Sequence, residues 1–290
     1  MVVALAVAAA LFYGAADFCG GLASRRSSTL AVVVWSQASG LLVLLPALAL
    51  IPGIARPSDV GWGLASGISG AFAIALLYRG LAIGVMGVVS PITAVLAAAI
   101  PVAFGIAHGE RPAPPALIGI VCALAAVVLV SAATPRPAAA EDAPLARAPG
   151  ARRWPPGIPE ALGSGAAFGF FFIALAQTHA DAGLYPLLGT RLTSLAILGG
   201  FAFAARRPLR VTRPGLRTIV VAGGLDMSAN ILYVLASHAG PLSIAAVITS
   251  LYPAGTVALA AVILHERLGR VQWLGVAVAL AGVVCLSASR

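Results

Sequence analysis

Residues 116–132 read ALIGIVCALAAVVLVSA. The stretch carries no charge, no proline and no alternation of polar with apolar positions. A membrane-spanning strand would alternate with period two over about ten residues. A helix instead needs about 20 apolar residues to cross a hydrocarbon core of roughly 30 Å. The stretch therefore reads as a transmembrane helix, and similar runs bounded by Pro, Gly and Arg extend from it in both directions. In the first half they cover 2–22, 28–50, 61–82, 87–107 and 115–132, and in the second 159–178, 183–204, 216–237, 242–264 and 271–288.

Composition agrees with this reading. Of 290 residues, 60% are hydrophobic and 9% charged, and the mean hydropathy is +1.01. Soluble domains carry about 25% charged residues; this chain has too few to solvate the surface of a water-soluble enzyme, and it is too apolar for disorder. Three cysteines (Cys19, Cys122 and Cys285) all lie in apolar runs, which excludes a disulfide scaffold and suggests buried thiols. Every basic residue is Arg, and the formal charge is +9. These arginines fall mainly between apolar runs, so they set membrane orientation rather than bind nucleic acid. No cysteine or histidine spacing suggests a metal, no Walker A loop suggests ATP, and no cofactor is expected. The opening MVVALAVAAALFYG reads as the first span rather than as a removable signal.

The stretch ATPRPAAAEDAPLARAPGARRWPPGI (133–158) changes character: rich in Pro, Ala and Arg, it reads as a linker near the middle of the chain. Its position prompts a search for a repeat. At an offset of 156 residues, Gly84 meets Gly240, Ile92–Thr93 meet Ile248–Thr249, Glu110–Arg111 meet Glu266–Arg267 and Gly119 meets Gly275. Each half holds five runs, an odd number, so the second must enter the bilayer from the opposite side. The expected fold is an all-α integral membrane protein with ten transmembrane helices in two inverted five-helix repeats: 1–133, then a linker at 134–158, then 159–290.

SPITAVLAAAIPVAFGIAHGERP at 90–112, ITSLYPAGTVALAAVILHERLG at 248–269 and the opening FYGAADFCGG at 12–21 carry a family resemblance. The chain resembles the EamA branch of the drug/metabolite transporter superfamily. Tyr13–Gly14 stand where the family often has Trp-Gly. The resemblance implies a ten-helix, two-repeat transporter of small metabolites, often amino acids or drugs, frequently working outward. It also implies that the chain pairs with itself through peripheral helices, as some members do. Asp17 departs from it, because many relatives are uncharged there.

Two signals for orientation disagree. Arg25, Arg26, Arg206, Arg207, Arg210, Arg213, Arg217, Arg267 and Arg270, with linker Arg136, Arg147, Arg152 and Arg153, lie on the side opposite the N-terminus. The N-terminal side has Arg56, Arg111 and Arg290. The positive-inside rule then puts both termini outside, whereas the resemblance implies cytosolic termini.

Charge at membrane depth costs about 2.5–3.5 kcal/mol on insertion scales, so each such residue is a functional candidate. Asp226 lies near the middle of the eighth run, with Asn230 and Tyr233 on the same helical face. Arg191, in the seventh run, could pair with Asp226, bind a substrate carboxylate bidentately, or snorkel to the surface. Asp17, with Tyr13 a turn before it, is either a site residue or a solvated interface group, and Arg79 could pair with it. Protonation of Asp17 or Asp226 offers energy coupling. Trp35 and Gln37 in the second run and Ser250 and Tyr252 in the ninth complete the candidate binding set, although Trp35 could equally face lipid. Gln37 and Arg191 occupy comparable places in the two halves when one gap is allowed. Pro101 and Pro253 are candidate helix breaks and gating points. Glu110 and Glu266 read as structural turns with local ion pairs to the following Arg. His108, His179, His238 and His265 read as solvated.

These readings combine into a secondary transporter in the plasma membrane. It would move a small solute such as an amino acid or organic acid, outward for preference, by alternating access between the repeats. The alternatives are a membrane-embedded enzyme acting on a lipid-linked substrate, or a non-transporting sensor or assembly partner.

Overall fold

The computed structural model describes residues 1–24, 27–84, 86–131, 155–263 and 269–288. Arg25, Arg26, Arg136, Arg147, Arg152, Arg153, His265, Glu266, Arg267 and Arg290, and all but the end of the linker, lie outside the described residues. The helices are α1 (Val2–Ser24), α2 (Thr29–Leu50), α3 (Pro57–Ile83), α4 (Met86–Ala107), α5 (Pro114–Ser131), α6 (Ile158–Ala176), α7 (Tyr185–Ala204), α8 (Arg213–His238), α9 (Leu242–Thr249), α10 (Tyr252–Ile263) and α11 (Arg270–Ala288). Among the described residues there is no strand. Eight helices are long and apolar enough to cross a bilayer, and the shorter apolar helices are α5 and the α9–α10 pair.

The run expected at 242–264 is not one helix. Pro253 has no N–H for the carbonyl of Thr249, and the Ala254 N–H turns to Leu251 O at 2.9 Å. Leu251 N in turn bonds Ile248 O at 3.1 Å, so the chain tightens through Ser250–Leu251 and restarts as α10 at Tyr252. Pro101 behaves differently from expectation: α4 runs unbroken through both Pro91 and Pro101.

Lipid tails are as apolar as leucine, so transmembrane helices gain little by hiding apolar side chains from them. They associate instead through close backbone approach at small residues. The main contacts join the two halves of the chain: α1 with α8, α3 with α6 and α7, α4 with α6, α2 with α8, α1 with α9 and α10, and α5 with α11. Consecutive helices such as α1 and α2 touch only slightly. Glycine makes these approaches. A β-carbon on Gly119 would stand 2.7 Å from Leu286 Cγ, and one on Gly275 would stand 2.6 Å from Val130 N. One on Gly67 would stand 2.6 Å from the Thr190 carbonyl oxygen and from Thr193, and one on Gly223 would collide with the Ser36 carbonyl and the Ser39 hydroxyl.

The N-terminal face of the bundle is closed by polar ties. Arg56 grips Asp181 with two bonds of 2.5 Å, which lowers the Asp181 carboxyl pKa and raises that of the guanidinium. Fully buried Asp59 accepts from His179 N at 2.9 Å and is 3.0 Å from its Nδ1. His238 Nε2 lies 3.1 Å from Thr178 Oγ1. His179 and His238 are thus engaged by the fold rather than simply solvated. Glu110 makes no local ion pair with Arg111; its carboxylate accepts from the backbone N–H groups of Leu242 (2.7 Å) and Ser243 (3.2 Å). Pro241 gives α9 no side-chain cap, so Glu110, reaching across from the α4–α5 turn, satisfies donors that would otherwise be orphaned at a positive helix end.

Hydrogen bonds to a charged group contribute about 1.5–3 kcal/mol. Glu110→Ala is therefore expected to lower stability by about 2 kcal/mol in denaturant titration of the purified protein, with helical circular dichroism retained before the transition. An unchanged midpoint would show that water replaces the carboxylate at no cost.

Candidate functional site

Asp226 lies midway along α8, and Arg191 lies in the first half of α7. The Arg191 side chain is 3% exposed. Its Nη2 donates to Asp226 Oδ2 and its Nη1 to Gln37 Oε1 of α2. The guanidinium thus turns inward instead of snorkelling. Asn230, one turn beyond Asp226, donates through Nδ2 to the Asp226 carbonyl oxygen (2.7 Å) and to Oδ2 (3.3 Å). Tyr13 of α1 donates its hydroxyl to Asn230 Oδ1 at 3.0 Å. Gln37, Arg191, Asp226, Asn230 and Tyr13 therefore form one polar chain linking α2, α7, α8 and α1. A β-carbon on Gly40 would stand 3.3 Å from Arg191 Cζ, so that glycine makes room for the guanidinium.

The sequence placed Gln37 and Arg191 at comparable positions, and the structure joins them directly. The neighbouring contacts correspond as well: Ser36 and Ser39 flank Gln37 and meet Gly223, while Thr190 and Thr193 flank Arg191 and meet Gly67. Asp226 breaks the correspondence, since Gly70 stands at the matching place in the first half. One acid on one side gives the chain a charged pair where a symmetric arrangement would have none.

Other expected residues go elsewhere. Tyr233 is fully buried, but its hydroxyl is taken by the Phe172 carbonyl oxygen (3.0 Å) and its ring packs 4.5 Å from that of Phe172. Phe172 also meets Tyr13 edge-on at 6.2 Å. Nothing in the sequence marks Phe172, because an aromatic in an apolar run carries no signal of its own. Trp35 is 42% exposed and donates to Leu209 O at 3.0 Å, tying α2 to the α7–α8 connection at the periphery. The Ser250 hydroxyl bonds Val247 O at 2.7 Å and closes the end of α9. Tyr252 is buried, and its hydroxyl has no partner among the described residues.

Arg79 does not pair with Asp17. Its Nε lies 3.4 Å from Oε1 of Glu160, a buried carboxylate in the first turn of α6. Asp17 is partly buried and has no hydrogen bond or ion pair with any described residue. Its neighbours one turn away, Gly14 and Gly20, lie against the Tyr252 backbone and the Tyr78 ring. Among the described residues no group of three His, Cys, Asp or Glu side chains could hold a metal. A cavity of about 330 Å³ lies at the N-terminal face, between Met1–Val3 and Ala239–Pro241, away from the polar chain.

A bundle of apolar helices long enough to cross a bilayer, with an Arg191–Asp226 pair joined in its interior to neutral polar side chains of the first half, defines a multi-pass membrane protein. The EamA-like transporter family model matches residues 1–132 and 155–288, and the chain belongs to that family. A solved structure described only as a crystal structure of a protein is similar over 99% of this chain and 96% of its own, with a TM-score of 0.74 and 14% identity; it supports the fold alone. Comparison with the curated proteins gives no match.

Removing one member of a buried pair costs about 3–5 kcal/mol, whereas replacing both by apolar groups can be neutral. Arg191→Ala is expected to destabilise by about 3 kcal/mol, because Asp226 keeps some solvent access. Arg191→Met combined with Asp226→Leu should recover most of that loss in the same denaturant titration. Additive losses in the double variant would mean that the two side chains do not act as a pair.

Proposed function

We propose that the protein is a secondary transporter that binds a small metabolite beside the Gln37–Arg191–Asp226–Asn230–Tyr13 chain and exposes it alternately to the two sides of the plasma membrane. The observation that carries this reading is the chain itself: a polar, charged crossing of α1, α2, α7 and α8 deep in an apolar bundle. Intramembrane charge is retained where it faces a pathway or a ligand.

The mechanical part of the proposal is an inverted repeat of five spans. Helix pairings support it when α9 and α10 are counted as one span. The α3–α6 contact has a counterpart in α8–α1, α4–α6 in α9/α10–α1, and α3–α7 in α8–α2. Contacts between single residues agree, since Gly119 meets Leu286 as Gly275 meets Val130. Two related sets of helices that interleave in this way can rock about a fixed centre; the matching contacts of Gly223 beside Gln37 and Gly67 beside Arg191 support assigning that centre to the Gln37–Arg191 pair. The α9–α10 break is the local element suited to the motion; unbroken α4 is not.

Asp226 and Asp17 are the groups whose protonation would couple transport to a proton gradient. Outward transport, the arginine-rich side facing the cytoplasm and self-association complete the reading.

The test is flux of labelled amino acids and organic acids into liposomes containing the purified protein, with and without a pH gradient. Saturable, protein-dependent flux is expected, and Asp226→Asn should reduce it at least tenfold by removing the charge that holds Arg191. Flux insensitive to the gradient would eliminate proton coupling. Absence of flux for every solute, despite binding, would favour a sensor.

A further inference from the structure

Charge balance within the bundle singles out Asp17. Arg191 is matched by Asp226, Arg79 by Glu160, Arg56 by Asp181, and His179 by Asp59. Asp17 has no such partner among the described residues, yet it lies roughly 10 Å inside the Ser24 end of α1 by helix rise. An unmatched carboxylate at that depth is unfavourable unless something else meets it.

Its surroundings are built from rings and acceptors. One turn before Asp17, a β-carbon on Gly14 would lie 2.5 Å from the Tyr252 carbonyl oxygen. One turn after, Gly20 lies directly against the Tyr78 ring and hydroxyl. Both glycines flank Asp17 along α1, so α10 brings the Tyr252 backbone, and α3 the Tyr78 ring and hydroxyl, to the turns on either side of Asp17. Tyr13 stands on the same face a turn earlier. Tyr252 is 6% exposed, and its hydroxyl is buried without a partner among the described residues. Just after it, Pro253 and the turned Ala254 N–H release the carbonyls of Thr249 and Ser250, which precede Tyr252, from their helical donors. Freed carbonyls at broken transporter helices are cation acceptors.

A carboxylate, a free phenol, released carbonyls and tyrosine rings make a site rich in acceptors and π faces. That chemistry suits a cation, and the rings favour an organic ammonium over a small metal ion that needs a full oxygen shell. The cation that would hold a substrate carboxylate, Arg191, has both terminal nitrogens engaged by Gln37 and Asp226, so only its buried Nε is without a partner among the described residues and no two-nitrogen fork remains for a carboxylate. We propose that Asp17, between Tyr252 and Tyr78, receives a protonated amine of the transported solute, so that small amines and amino acids are taken and organic acids without an amine are not. This rests on the transporter reading and narrows its substrate class.

The experiment titrates the purified full chain with phenethylamine, butylamine, butyrate and sodium chloride, following the thermal transition, and then measures flux of the labelled amine in liposomes. Both amines are expected to raise the transition saturably, and butyrate and sodium are expected not to. Asp17→Asn should weaken the apparent amine affinity at least tenfold. Tyr252→Phe, which removes only the unmatched hydroxyl, should weaken it severalfold and serves if Asp17→Asn does not fold. Stabilisation by butyrate but not by amines, competition by sodium, or wild-type amine affinity in both variants would overturn the proposal. Amine binding without flux of any solute would sink the transporter reading while leaving this site standing. Flux of another solute without amine binding would do the reverse.

Discussion

Inside hydrocarbon, a helix gains almost nothing by turning an apolar face toward another helix rather than toward lipid. What holds this bundle is therefore close backbone approach, and such approach requires the absence of side chains at the contact. Gly67, Gly119, Gly223 and Gly275 each sit where a single added carbon would meet backbone or side-chain atoms of another helix. Each of these contacts joins the two halves of the chain. The halves are thus interleaved, and the polar side chains beside Gly67 and Gly223 are brought together by these crossings.

The same contacts set the site. Gly223 brings α8 onto Ser36 and Ser39 of α2, and Gly67 brings α3 onto Thr190 and Thr193 of α7. Gln37 and Arg191, beside those contacts, are thereby delivered to one another and to Asp226. Once the pair is desolvated, charge-assisted bonds strengthen it, and neither partner can leave without stranding the other. Asn230 and Tyr13 extend the chain to α1, so any movement of α1 against α8 must either carry these bonds along or exchange them.

The bundle is closed differently at its two kinds of interior. On the N-terminal face, Arg56–Asp181, Asp59–His179 and Glu110 at the start of α9 tie loops and helix ends together. Deeper in, Tyr252 and Asp17 keep polar atoms without partners beside the α9–α10 break. The N-terminal face is thus tied together by ion pairs and charge-assisted bonds, although Asp59 Oδ2 and Ser243 Oγ there also lack partners among the described residues.

Membrane class, approximate spans and the special standing of Asp17, Arg191 and Asp226 are legible in the sequence. They rest on properties local to the chain: run length, the cost of charge in hydrocarbon, and composition. The proximity of Arg191 to Asp226 was also within reach, because successive antiparallel spans constrain depth. Which partner each side chain takes was not legible. Glu110 reaches α9 instead of Arg111, Arg79 takes Glu160 instead of Asp17, and Trp35 turns outward to Leu209. These choices depend on the azimuth of each helix about its own axis, which backbone crossings between distant segments decide. Pro253 and Pro101 make the same point: two prolines with identical local chemistry lie in helices that differ, one broken and one continuous, because the neighbours of each helix determine whether a lost hydrogen bond opens the chain or is absorbed.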